Sequence, residues 1–240
     1  VLFQNAFGAA LNTALAGIPE RWGYARDGRR LLLSRAVEIA PAARQAHEVF
    51  YYLDLLESLG LKAPYRNPRL ALDPPSEIAA DELLRQGGIA ADEKILLLAP
   101  GAAFGSAKRW PVECFAEAAR RLLREQPLRV LIMGGPGEAE AARDLAGLLP
   151  GPVLNLAGRT SLAAAMAVIG RGALMLTNDS GLMHIAGARG VPLVAVFGPT
   201  NPRTTAPLGL SRLIRSQAEC SPCLKRECPL NRQICWDDVG

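Results

Sequence analysis

Short apolar runs alternate with helical stretches from residue 94 onward, and this alternation constrains the fold of the 240-residue chain more than any other feature. Each run is continuously apolar, as at Ile95 to Ala99, which is typical of a strand buried on both faces. Five strands and the four helices that connect them predict an α/β fold with right-handed crossovers and a parallel, doubly wound sheet. The predicted strands span residues 95–99, 129–133, 153–156, 173–177 and 192–197.

The amino-terminal part is less regular, with helices predicted at residues 11–18 and 47–59. Residues 64–75 contain four prolines and little periodicity, which indicates a linker. We therefore expect a partial amino-terminal domain with its linker over residues 1–75 and a complete Rossmann-like domain over residues 76–240. The first part is too short for a Rossmann-like domain, which needs roughly 100 residues. Because the sequence also lacks an initiator Met, we expect the beginning of this first domain to be absent.

The net charge is only +4, and half of the residues are apolar, which suits helices packed on buried aliphatic strands. No apolar run reaches the roughly 18 residues needed to span a bilayer, and the first residues lack the pattern of a signal peptide. Basic residues cluster between Arg21 and Arg35 and either form a solvated loop or bind phosphates and carboxylates bidentately. We expect no nucleic-acid partner, because the cluster matches no recognised nucleic-acid-binding motif.

Four of the five cysteines lie close together near the carboxyl terminus, at Cys220, Cys223, Cys228 and Cys235, whereas Cys114 lies alone on a predicted helix. This spacing permits a metal site but matches no standard zinc pattern. Disulfides are disfavoured without a secretion signal. The cluster is therefore either a structural group of thiols that sometimes holds a metal or a set of reduced cysteines in a packed loop. We assign no metal ligand and expect no cofactor.

A loop of mostly small residues, 100–105, follows the first strand of the alternating region. Small residues let backbone N–H groups approach a phosphate, and the next helix adds the positive end of its dipole. Lys108 follows this loop and either reaches a diphosphate oxygen as a point charge or lies in solvent. The loop is not a Walker A motif, because no Gly-Lys-Ser/Thr sequence opens the helix.

The second strand is followed by the glycine-rich turn 134–137 and then by Glu138 and Glu140. The spacing of these glycines does not fit the dinucleotide-binding fingerprint. The two carboxylates either interact favourably with the helix dipole or accept hydrogen bonds from ribose or sugar hydroxyls.

The turn at residues 178–181 joins the fourth strand to a helix. Asp179 either caps that helix or lies in a ligand site, and Ser180 and Gly181 then present free backbone N–H groups to an anion. His184 lies one turn further along the same helix. Because ligands bind at the carboxyl ends of the strands in such sheets, these turns together predict a sugar-nucleotide site.

Taken together, these segments resemble glycosyltransferase family 9, the ADP-heptose:lipopolysaccharide heptosyltransferases, whose fold is of the GT-B type. The resemblance implies that Lys108 contacts the donor diphosphate and that the Asp-Ser-Gly-x-x-His motif binds the donor heptose and phosphates. In this chain that motif is Asp179, Ser180, Gly181 and His184. The residues that carry the resemblance are 100–111, 156–162, 177–184 and 197–200, with 23–29 and the late cysteines in addition.

The same resemblance indicates which residues bind the nucleoside of the donor. A glutamate after the second strand of this domain binds the ribose in the family, and we prefer Glu140 to Glu138 for that role. Thr160 lies where the family's backbone meets the adenine. The ADP-heptose donor is thus expected to lie across residues from four different loops.

The family's general base is an aspartate near the start of the first domain, and no residue here matches it. We therefore assign no catalytic base, and Asp27 is not a substitute. The resemblance implies an inverting transfer of L-glycero-D-manno-heptose to the first heptose of the lipopolysaccharide inner core, in the cytoplasm at the inner membrane surface. Arg26 and Arg29 are our candidates for binding acceptor phosphates or carboxylates. The alternatives are transfer to another core position, a fragment that binds the donor without activity, and a metal-binding interaction protein built around the cysteines.

Overall fold

The structure is a computed structural model that describes residues 1–230, 232–237 and 239. The chain forms two compact units, of which the first comprises Val1–Arg66 with Arg203–Thr205 and the second comprises Asn67–Pro202 with Ala206–Gly240. The first division between them falls inside the proline-containing stretch that was predicted as a linker. Among the described residues, no helix is long and apolar enough to cross a membrane.

The first unit contains helix α1, the short parallel strands β1 and β2, and helix α2. Its core forms around the buried residues Tyr24, Leu55 and Leu59. The hydroxyl of Tyr24 lies 2.6 Å from the Tyr51 carbonyl oxygen and 2.8 Å from the Asp54 carboxylate, and its single proton has an acceptor on either side, which satisfies this buried polar group. The elements are α1 (Phe7–Leu15), β1 (Trp22–Tyr24), β2 (Arg35–Val37) and α2 (Glu48–Ser58).

The two helices predicted in this part are present, with one shift. The first begins four residues earlier than expected and ends at Leu15. The second agrees within a residue at each end, because His47 caps α2 and its Nδ1 accepts from the Val49 N–H at 3.2 Å.

The second unit is built on a six-stranded parallel sheet with the order β5-β4-β3-β6-β7-β8. The predicted α/β fold class and all five predicted strands are confirmed. The sixth strand was not predicted, because it is a largely exposed edge strand with an arginine near each end and no continuous apolar run. The strands are β3 (Ile95–Ala99), β4 (Arg129–Ile132), β5 (Val153–Asn155), β6 (Gly172–Asn178), β7 (Leu193–Phe197) and β8 (Ser211–Arg215).

Helices cover both faces of this sheet. Helix α3 begins inside the stretch predicted as a linker, because Pro74 and Pro75 occupy its first turn and the Asp73 carboxylate accepts from the Ser76 N–H. The helices of this unit are α3 (Pro74–Gln86), α4 (Val112–Glu125), α5 (Ala139–Leu148), α6 (Leu162–Ile169) and α7 (Gly181–Ala188). The last three residues of the short helix α8 (Pro202–Thr205) belong to the first unit.

The central strand β3 separates two hydrophobic cores because its successive side chains point to opposite faces of the sheet. Leu97 packs with Met175 and Met183 on the face covered by α3, α6 and α7. Leu96 and Leu98 pack on the other face, against α4 and α5. Burial of all five β3 residues fixes the strand, and with it the position of the loops that leave its carboxyl end.

Candidate functional site

The loops that follow β3, β6 and β7 meet at the carboxylate of Asp179. Lys108 Nζ donates to Asp179 Oδ2 at 2.7 Å, and Thr200 Oγ1 donates to the same oxygen at 2.7 Å. The Lys108 and Asp179 side chains are only 14% and 7% exposed, so solvent screens this ion pair little. The structure therefore brings these two candidate residues together at the carboxyl edge of the sheet.

Of the two roles that the sequence allowed for Asp179, helix capping is wrong. The capping residue of α7 is Ser180, and its side chain accepts no hydrogen bond from the helix. The Asp179 carboxylate accepts instead from the Lys108 ammonium and the Thr200 hydroxyl. A charged donor forms the stronger hydrogen bond with a carboxylate, which favours this arrangement over a backbone cap.

The first turn of α7 opens onto free space. A Cβ built on Gly181 meets no heavy atom within 4 Å, and both Gly181 and His184 are exposed. Ser180 is half-buried, with its hydroxyl 3.3 Å from that of Thr177. The backbone N–H groups and the dipole of α7 are therefore accessible to an anion beside Lys108.

Asn178 ties the end of β6 to the loop after β3, a role that sequence reasoning missed. It is fully buried, its Nδ2 donates to the Pro100 carbonyl at 2.6 Å, and its Oδ1 accepts from the Trp110 N–H at 3.1 Å. The available signal was a polar residue at the end of an otherwise apolar strand. Thr200 was also missed as a partner of Asp179, although residues 197–200 are among those that carry the family resemblance.

Glu140 was preferred from the sequence as the residue that binds the ribose, but the geometry favours Glu138 for that role. Glu138 folds back so that its Oε2 accepts from the Gly135 N–H at 2.6 Å. Its carboxyl group also lies over Gly101, where an added Cβ would be only 2.1 Å from Glu138 Cδ. Glu140 is exposed on the first turn of α5. Glu138 is thus the carboxylate between the loops that follow β3 and β4.

Thr160 lies on a loop that packs against the same β4 turn. The Gly158 N–H donates to the Gly134 carbonyl at 2.9 Å, and a Cβ on Gly158 would lie 3.1 Å from Pro136 Cα. Gly158 also has a φ of 71°, which favours glycine. Thr160 is half-buried beside this contact, so Thr160 and Glu138 belong to neighbouring loops at one side of the sheet edge.

The arginine cluster of the first unit is not one exposed patch. Arg29 is fully buried, where its Nε donates to the Tyr24 carbonyl at 2.9 Å and its Nη2 to Asn5 Oδ1 at 2.9 Å. Burial lowers the pKa of the Arg29 guanidinium. Arg26 is 46% exposed and pairs with Asp27 at 3.4 Å. Of the two predicted acceptor-binding arginines, the structure therefore places only Arg26 at the surface of this unit.

The four late cysteines converge on one apolar cavity of about 140 Å³, which Ala107 and Pro199 also line. All are unpaired thiols, and burial with the neighbouring thiols raises the pKa of Cys235 to about 11. Across residues 1–230, 232–237 and 239, no group of three or more His, Cys, Asp or Glu side chains could hold a metal ion. The four thiols therefore lie together in one packed segment. Cys114 lies half-buried on α4, where burial raises its pKa.

The site combines features that suit a nucleoside diphosphate. A lysine and an open helix amino terminus attract phosphate, and a carboxylate on the neighbouring loop accepts hydrogen bonds from hydroxyl groups. A separate cavity of about 590 Å³ lies near the amino-terminal end of β3, with Ile95, Asp81 and Arg171 among its lining residues. That cavity shares no residue with the loops described above.

Comparison with known proteins identifies what this arrangement resembles. The sequence profile of glycosyltransferase family 9 (heptosyltransferase) matches residues 1–234. Lipopolysaccharide heptosyltransferase 2 of Escherichia coli K12 is 33% identical over 223 residues, which cover 89% of this chain and 64% of that protein. The chain therefore spans slightly less than two thirds of the length of this relative.

Solved structures resemble the chain in the same way. The structure of E. coli ADP-heptose lps heptosyltransferase II has a TM-score of 0.75 and 32% identity, covering 88% of this chain and 66% of that one. The structure of E. coli heptosyltransferase WaaC with ADP-2-deoxy-2-fluoro heptose has a TM-score of 0.55 and 25% identity. The match covers 78% of this chain and 54% of that one.

Proposed function

This chain belongs to glycosyltransferase family 9, the heptosyltransferases, and from that membership we propose that it binds ADP-heptose for transfer to the lipopolysaccharide inner core. The observation that carries the proposal is the cluster of Lys108, Asp179 and Thr200 beside the open amino terminus of α7. A related transferase holds an ADP-heptose analogue in its solved structure, which supports the choice of donor.

Lys108 and the backbone N–H groups near Ser180 and Gly181 would bind the donor diphosphate. When the bond from the anomeric carbon to the diphosphate breaks, negative charge develops on the β-phosphate of the leaving ADP. A fixed ammonium and fixed N–H groups stabilise that charge without reorganising, and such electrostatic stabilisation is often the largest contribution to catalysis. Asp179 holds the ammonium in position through the 2.7 Å ion pair.

The other residues of the donor site are assigned from the family resemblance and from their positions in the structure. Glu138 would accept hydrogen bonds from the ribose hydroxyls, because its carboxylate lies between the loops after β3 and β4, and exposed Glu140 is the weaker candidate. The backbone at Thr160 would meet the adenine. His184, exposed one turn into α7, would contact the heptose and phosphates.

The transfer would invert the configuration of the anomeric carbon. The acceptor hydroxyl attacks this carbon opposite the leaving diphosphate, while a general base removes the hydroxyl proton. We assign no residue of this chain as that base. The proposed acceptor is the first heptose of the inner core at the cytoplasmic membrane surface, with Arg26 as the exposed arginine available for its phosphates.

The test of this proposal is ADP release by a protein that contains this chain. ADP-heptose is supplied with purified core acceptors that carry either no heptose or one heptose. We expect ADP release with the one-heptose acceptor and little with the acceptor that has none. Release with the heptose-free acceptor alone would contradict the proposed acceptor, and donor binding without release would reduce the function to binding.

A further inference from the structure

The cysteine-rich segment, residues 220–230 and 232–236, packs directly on two donor-site loops. The Arg226 carbonyl accepts from the Ala107 N–H at 3.1 Å, and the Leu224 N–H donates to the Pro199 carbonyl at 2.8 Å. The approach to the first loop is close, because a Cβ on Gly105 would lie 2.2 Å from the Arg226 carbonyl oxygen. The backbone at Arg226 is therefore held against the loop that carries Lys108.

The side chains of Arg226 and Lys108 both lie against the aromatic ring of Phe104. The Arg226 Cζ lies 5.1 Å from the centroid of the Phe104 ring, and Lys108 Nζ lies 4.8 Å from the same centroid. Because both distances are measured to the same centroid, the two charges lie within roughly 10 Å of each other, which is about one Debye length at 0.1 M salt. Phe104 thus brings two cations to the same part of the site.

The two cations differ in how their charge is balanced. Lys108 is paired with Asp179, whereas Arg226 is exposed and makes no ion pair with a carboxylate of the described residues. An exposed cation–π contact contributes only about 0.5–1 kcal/mol, so the ring positions the guanidinium without neutralising it. A guanidinium in this state binds phosphoryl oxygens well, because its N–H groups pair with two oxygens at once.

We propose that Arg226 is a second phosphate-binding cation of the donor site, placed there by the cysteine-rich segment and by Phe104. Its ligand is the β-phosphate of the nucleoside diphosphate that Lys108 also contacts. This inference rests on the proposed function, because it requires the donor diphosphate to lie beside Lys108. It adds a positioning element that the donor-binding motif around Asp179 does not contain.

The experiment compares Arg226→Gln with the neighbouring Lys225→Gln in otherwise unaltered protein. Lys225 is also exposed and carries the same charge, but it makes no described contact with Phe104. We expect Arg226→Gln to weaken ADP binding about tenfold, since a hydrogen bond to a charged group is worth about 1.5–3 kcal/mol. AMP, which lacks the β-phosphate, should bind the two variants equally, and Lys225→Gln should bind ADP as the unaltered protein does.

A second variant, Phe104→Leu, keeps the charge of Arg226 and removes the ring that positions it. Phe104→Leu should weaken ADP binding less than Arg226→Gln, and Arg226→Lys should restore part of the affinity. Unchanged ADP affinity in Arg226→Gln would overturn the inference while leaving the proposed function intact. A normal ADP affinity with a raised KM for the phosphorylated acceptor would also overturn it, because the phosphate would then belong to the acceptor. Failure of the unaltered protein to bind ADP would instead refute the proposed function.

Discussion

Asp179 is the residue on which the site converges, because its carboxylate accepts from a side chain on each of two other loops. Taking an ammonium and a carboxylate out of water is costly, and their attraction offsets this cost only when the geometry is good. The Thr200 hydroxyl donates a second hydrogen bond to the same Asp179 oxygen and so holds the carboxylate in position for Lys108. The pair therefore stabilises the fold only while both partners are present.

Asp179→Ala should consequently destabilise the protein by about 3 kcal/mol, the lower end of the range for removing one partner of a buried ion pair. Urea denaturation measures this change in the free energy of unfolding. The control is Asp81→Ala, which breaks a pair with Arg171 whose carboxylate side chain is 60% exposed. Exposed pairs contribute less than about 1 kcal/mol. Equal losses in the two variants would contradict the burial argument.

At the residue scale, sequence reasoning found which side chains lie in the site but not what each one contacts. Lys108 and Asp179 were both predicted, because each lies in a turn after a buried strand. The ion pair joins residues 71 positions apart, and no local pattern encodes such a contact. Asn178 and Thr200 were missed as partners for the same reason, and Arg29 was placed at the surface because a local basic cluster does not reveal burial.

At the element scale, the loops after β3 and β4 pack closely because Gly101 has no side chain. Gly101 leaves room for the carboxyl group of Glu138, which a Cβ would displace. The displaced group is the end of a flexible side chain, so it can move at small cost. Glycine at this position therefore affects ligand binding more than stability.

Gly101→Ala should lower the free energy of unfolding by no more than about 1 kcal/mol, the low end for overpacking. Adenosine and ADP should bind about tenfold more weakly, because a charge-assisted hydrogen bond of about 1.5–3 kcal/mol is lost. Gly137→Ala is the matched control, since nothing lies within 4 Å of its added Cβ. Calorimetric titration measures the affinities, and unchanged adenosine binding would remove Glu138 from the nucleoside site.

The cysteine-rich segment predicts a graded thiol reactivity. The thiolate is the reactive form, and with a pKa of about 11 only about one in a thousand Cys235 thiols is ionised at pH 8. Exposed Cys220 should therefore react with N-ethylmaleimide first, and Cys235 should react faster only as the pH rises toward 11. Mass spectrometry of timed samples measures the order. Equal rates for these two cysteines at pH 8 would show that the segment does not pack as described.

The elements themselves were largely predictable, since strands buried on both faces leave continuous apolar runs. Strand β8 was missed because it lies at the edge of the sheet, where one side is open and polar residues are tolerated. Helix α1 was shifted because its sequence has no capping side chain to mark where it begins. Propensity alone therefore fixed the helix type and not its ends.

At the scale of the whole molecule, the second unit contains the complete six-stranded sheet and all loops assigned to the donor. The first unit contains Arg26 and a two-stranded sheet. The chain spans 64% of the E. coli heptosyltransferase 2 that it resembles. Donor binding is thus the function that the loops of this chain support most directly, and transfer rests on the family resemblance as a proposal.

Lys108 is the residue that we expect to bind the donor diphosphate at the carboxyl edge of the sheet, and calorimetric titration with ADP measures its contribution. Lys108→Ala should bind ADP at least tenfold more weakly than the unaltered chain, since charged hydrogen bonds contribute about 1.5–3 kcal/mol. Lys94→Ala is the control, because Lys94 is an exposed lysine at the opposite end of β3 and should leave binding unchanged. Equal ADP affinities for Lys108→Ala and Lys94→Ala would contradict the claim.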